Sequence, residues 1–141
     1  MPSYIVDASV VADFLVSGVY TANAKGLIRS VGDSQTTIFV PGFCLVECTN
    51  VLWKRVRSQD ISQEQAETLA DDLLMLPLSI VSVDTLFRRA LQIGVAHQLA
   101  IYDSIYIALA EKYNYPLITA DVRQEAAAKT VGVLLKPITD F

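Results

Sequence analysis

The chain has 141 residues, 52% hydrophobic and only 18% charged, with a net charge of −4 and a pI near 4.8. This size fits a single domain over residues 1–141 whose core holds without disulfides, and the acidic balance excludes a broad basic face for nucleic acid. No apolar run nears the ~18 residues of a membrane span, and Met1-Pro2-Ser3 leads into a strand without a basic leader, so the expectation is a cytoplasmic protein with no membrane contact.

Tyr4-Ile5-Val6 reads as a first strand that ends on Asp7, with a helix over Ala8–Leu15. Asp before a helix is a favoured N-cap, which is the ordinary explanation of Asp7 taken alone. Ser9 either orients that carboxylate or simply lies in the first turn, and Asp13 reads as a solvated helix charge. Thr21 to about Val31 is a second helix, and Thr36–Val40, rich in β-branched residues, a second strand. Pro41-Gly42 opens a helix from Phe43 to about Arg57 with Leu45, Cys48, Leu52 and Val56 as its inward stripe. Cys44 and Cys48, four apart, read as small core residues and neither a disulfide nor a zinc site.

Glu47 lies inside that helix among apolar residues, so capping does not explain it. Either it has a partner or it reaches solvent, and the sequence leaves both readings open. Asn50 and Lys54 share its face.

Ser62 with Gln65 forms a capping box for a helix to about Leu76, whose acids form a solvated face. Leu78–Val83 is a third strand. Asp84 reads as the cap of a helix from about Thr85 to His97, with His97 suited to the helix end. Tyr102 to about Lys112 is a helix with Tyr102, Ile105, Ala108 and Leu109 inward and Asp103 in its first turn. Pro116–Ala120 is an uncharged inner strand ending on Asp121, followed by an Ala-rich helix and a fifth strand over Gly132–Leu135.

Strands separated by helices imply parallel pairing and right-handed crossovers. The predicted fold is an α/β/α sandwich around a parallel sheet of about five strands. Asp7 and Asp121 then end strands at the carboxyl rim, where open α/β sheets place their sites. Asp103 and Glu47 lie close in sequence to that rim. Clustered carboxylates repel and some stay protonated. A hard divalent cation, magnesium or manganese, relieves this and activates water toward phosphate esters.

The segments Ile5-Val6-Asp7-Ala8-Ser9, Leu45-Val46-Glu47-x-x-Asn50, Tyr102-Asp103-Ser104-x-Tyr106-x-Ala108-Leu109-Ala110 and Leu117-Ile118-Thr119-Ala120-Asp121 resemble, in order, the four acidic motifs of PIN-domain ribonucleases. The chain is most similar to the VapC-like toxins of type II toxin–antitoxin pairs. The resemblance implies a magnesium- or manganese-dependent endoribonuclease that hydrolyses RNA with a metal-activated water. It implies Asp7, Glu47, Asp103 and Asp121 as catalytic and metal-binding carboxylates, and Ser9, Asn50 and Thr119 as supporting groups. It further implies a homodimer and a cognate antitoxin. One departure stands out: many relatives carry an apolar or aromatic residue three places after the last acid, where this chain has Gln124. Whether Glu125 joins the site is open. Lys54, Arg88, Arg89 and Arg123 are weaker candidates for RNA-backbone contacts.

Two rival readings stand beside this one. An aspartyl phosphatase needs a second Asp where Ser9 stands. A catalytically weak PIN-like scaffold, binding protein or RNA, fits the apolar composition but not the four acids.

Overall fold

The computed structural model describes residues 2–141. Four strands, β1 (Ser3–Val6), β2 (Thr37–Pro41), β3 (Ser79–Val81) and β4 (Leu117–Ile118), form one sheet in the order β3-β2-β1-β4. Every pairing is parallel, with Ile5 against Phe39 and Leu117, and Phe39 against Ser79. β1 is thus internal, and its Ile5 and Val6 are fully buried. This is what an uncharged, β-branched strand covered on both faces requires.

Seven helices, α1 (Ala8–Leu15), α2 (Thr21–Asp33), α3 (Phe43–Arg57), α4 (Gln63–Leu74), α5 (Phe87–His97), α6 (Ile101–Tyr113) and α7 (Val122–Val131), flank the sheet, and a short 3-10 turn closes the chain at Ile138–Asp140. The parallel α/β sandwich is as predicted. No single helix among the described residues is long and apolar enough to cross a membrane.

Five expectations are corrected. Gly132–Leu135 is not a fifth strand. Only Leu135 bridges β4, at Leu117, and Leu117 uses both its N–H, to Leu134 O, and its C=O, from Lys136 N, in that one contact. Pro137 follows and has no N–H to extend a ladder. Asp84 does not cap α5, because Val83–Leu86 closes a turn first and the helix starts at Phe87. Tyr102 points outward, while Ser104 through Ala110 are all buried. In α3, Cys48 and Leu52 are buried and Leu45 packs against the core, but Val56 is only half-buried and lines a cleft against α4. Asp13 is half-buried, and its Oδ2 accepts the Tyr20 N–H across the α1–α2 turn. The capping box of Ser62 and Gln65 and the two free, buried cysteines are as expected.

Candidate active site

Asp7 follows the last residue of β1 and stands directly before α1, yet its carboxylate makes no capping hydrogen bond. Instead it is held from two sides. Ser9 Oγ donates to Oδ1 at 2.6 Å, and Thr119 Oγ1 donates to Oδ2 at 2.8 Å. Both hydroxyls are themselves fixed. Ser9 Oγ accepts the Ala120 N–H and Thr119 Oγ1 accepts the Asp121 N–H, each at 3.0 Å. The pairing of β1 with β4 brings these groups together, since Val6 lies beside Ile118. Asp7 is only 4% exposed, and burial pushes its carboxyl up to about 7 against the hydrogen bonds that favour the ion, those of the Ser9 and Thr119 hydroxyls foremost.

Asp121 is the N-cap of α7, and Oδ1 accepts from the N–H groups of Arg123 and Gln124. Capping therefore accounts for the hold on Asp121, whereas the hydroxyls of Ser9 and Thr119 are the main hold on Asp7.

Glu47, half-buried on α3, has a partner. The hydroxyl of Tyr106 donates to Oε1 at 2.8 Å. Tyr106 lies on α6, one turn after Asp103, and packs edge-on against Phe43 at the start of α3. Burial raises the Glu47 carboxyl above its ordinary range, with the Tyr106 bond opposing and nearby Asp103 adding. Asp103 is raised too, by burial and then by Asp121, while Arg123 offsets part of this.

Asp7, Glu47, Asp103 and Asp121 line a single cavity of about 250 Å³ at the carboxyl rim, together with Ser9, Asn50, Lys54 and Tyr106. They are not yet gathered around a common point. Among the described residues, no three His, Cys, Asp or Glu side chains stand close enough to hold a metal ion as they are.

The model of the PIN domain matches residues 4–130. The chain belongs to the PIN domain family. Ribonuclease VapC3 of Pyrobaculum aerophilum is 28% identical over 119 residues, which are 83% of this chain and 88% of that protein. The structure of VapC20 from Mycobacterium tuberculosis, a sarcin-ricin loop cleaving toxin, matches with a TM-score of 0.68 at 18% identity, over 93% of this chain and 96% of that one. VapBC2 from Rickettsia felis, bound to a DNA fragment from its promoter, matches at 0.62 and 17% identity, over 96% and 98%. At these identities the two structures speak for the fold.

Within this PIN domain, the other predicted residues divide. Ser9 and Thr119 buttress Asp7, and Asn50 and Lys54 reach the same cavity. Glu125 does not line it. It faces the neighbouring cleft beside Lys129, 3.5 Å away. Arg89 is taken up by a two-pronged pair with Glu111 at 2.8 and 2.9 Å, and Arg123 donates to the Gln98 carbonyl at 2.7 Å. Arg88 is exposed and lies outside the cavity. Sequence reading missed Tyr106. The signal was present in Asp103-x-x-Tyr106, one helical turn, which sets an acid and a hydroxyl on neighbouring surface of α6.

Gln124 is fully buried. Its Nε2 donates to the main-chain oxygen of Asp103 at 3.0 Å, and its Oε1 has no hydrogen-bond partner. A buried acceptor left so costs about 1–3 kcal/mol.

Proposed function

We propose that this PIN-family protein is a divalent-metal-dependent endoribonuclease that hydrolyses RNA phosphodiester bonds, acting as one domain over residues 1–141. The observation that carries the reading is the convergence of Asp7, Glu47, Asp103 and Asp121 on one rim cavity in a chain whose curated relative is a ribonuclease.

The donor set fits a hard cation. All four groups offer carboxylate oxygen, the ligand that magnesium and manganese favour. Three of them carry raised affinity for protons, so each would gain from a positive charge nearby. Asp7, Glu47, Asp103 and Asp121 would hold the ion. Such an ion supplies charge neutralisation at the phosphate and a more acidic water.

The chain's own residues do the remaining work. Ser9 and Thr119 keep the Asp7 carboxylate in one orientation and favour its ionised form. Tyr106 engages one oxygen of Glu47 and stops that side chain from swinging to solvent. Lys54, at the edge of the cavity, is placed to meet an RNA phosphate. No nucleophilic side chain is needed.

The relatives support a toxin role with an antitoxin partner, since one structural neighbour is a VapBC pair; a cytoplasmic location is part of the same proposal. A homodimer accords with the exposed stripe of Phe87, Leu91 and Val95 along α5. The test is incubation of total cellular RNA with partner-free protein in magnesium, in manganese and in EDTA, beside Asp7→Asn and Asp103→Asn. Discrete fragments that disappear with chelator and with either variant are expected. Intact RNA under both metals, with folded protein, would sink the nuclease reading in favour of a binding module.

A further inference from the structure

Gln124 touches both acid-bearing turns. Its main-chain N–H is accepted by Asp121 Oδ1 at 3.3 Å, and its side-chain Nε2 donates to the Asp103 main-chain oxygen at 3.0 Å. The first turn of α6 and the first turn of α7 are joined through this side chain. The two carboxylates they carry are like charges lining one cavity. A tie between the two backbones opposes their separation.

The amide is a poor choice for packing alone. The side chain is wholly buried, and its Oε1 finds no donor among the described residues. A methionine or leucine would fill the same space without an orphaned acceptor, and the Asp103 main-chain oxygen would keep its place in the hydrogen-bond ladder of α6. What the amide alone provides is the N–H that reaches Asp103.

We propose that Gln124 is a positioning residue: its side-chain amide holds the start of α6 against the capped start of α7 and so sets the spacing between Asp103 and Asp121. The inference rests on the reading of this cavity as a divalent-cation site. It gives a role to the residue at which the sequence departs from its family's pattern.

The experiment is calorimetric titration of Mn2+ into RNA-free protein, for the wild type, Gln124→Met and Gln124→Leu. Urea denaturation of each in EDTA runs beside it. Loss of a group that orients metal ligands typically weakens metal affinity about 10- to 100-fold. That loss is expected in both variants, with the urea midpoint in EDTA unchanged or raised. A purely structural side chain cannot move the two readouts in opposite directions. Wild-type affinity in the variants overturns the proposal. So does an affinity loss matched by a fallen urea midpoint, or failure of both variants to fold. A wild type that binds no Mn2+ instead overturns the cation-site reading, and the inference with it.

Discussion

Asp7 carries a clear consequence for pH. Its folded carboxyl titrates near 7, against an ordinary value of 3.8. For a raised acid, the stabilising contribution is complete below the unfolded value and is lost as pH rises through the folded one. Glu47 and Asp103 are raised as well and act with the same sign. Metal-free protein should therefore lose stability between about pH 4 and pH 7, with Asp7 alone accounting for on the order of 4 kcal/mol. Asp7→Asn removes that ionisation. Urea denaturation in EDTA should find the variant at least as stable as the wild type at pH 7, and its pH slope flattened, while RNA cleavage is abolished. A variant that is both inactive and unstable would show that Asp7 serves the fold. Tyr106→Phe tests the second acid. Without the hydroxyl, the Glu47 carboxyl should rise further and folding should weaken by about 1 kcal/mol. The acid limb of the kcat/KM profile should move to higher pH. An unmoved limb would remove Glu47 from the rate-determining ionisations.

At the level of elements, local chemistry and packing can be separated. The Ser62–Gln65 capping box lies on the exposed start of α4, away from the acidic cavity. Ser62→Ala should cost about 1 kcal/mol in urea denaturation and leave RNA cleavage unchanged. A loss of cleavage would tie α4 to the site. The helix α6 shows the limit of periodicity. Spacing of three and four implies one buried face, but Ser104 to Ala110 are buried on every side because α6 lies against β1 and β4 with α5 and α7 packed beside it. An all-round apolar helix offers no stripe to read. The same enclosure buries Tyr106 and fixes where its hydroxyl meets Glu47.

For the whole molecule, charge bears on how the proposed RNA substrate would be held. A net −4 protein with Lys54 as the cation lining the cavity would make few phosphate contacts. The slope of log affinity against log salt should be shallow, about −0.7 for each phosphate engaged on a single strand. Lys54→Ala should reduce it by about that amount in fluorescence anisotropy with Asp7→Asn protein, which binds without cleaving. An unchanged slope would place the RNA elsewhere. The exposed stripe on α5 is the contact we propose for a homodimer. Leu91→Glu should convert a dimer to a monomer by light scattering, and a persisting dimer would assign the contact to another face.

The order of elements, the parallel sheet and the four acids were legible in the chain. They depend on short-range patterns: β-branched runs, breakers at Pro41 and Pro116, acids at two strand ends, and short acidic motifs within α3 and α6. Capping chemistry at Ser62 was equally local. Other features were decided only by tertiary structure. The choice between cap and site for Asp7 turned on Thr119, 112 residues away. The partner of Glu47 came from a helix 59 residues on, and Gln124 reached Asp103 across 21. Such bonds join residues that only the crossover connections bring together. Periodicity records which way a side chain faces, and packing alone decides what it meets there.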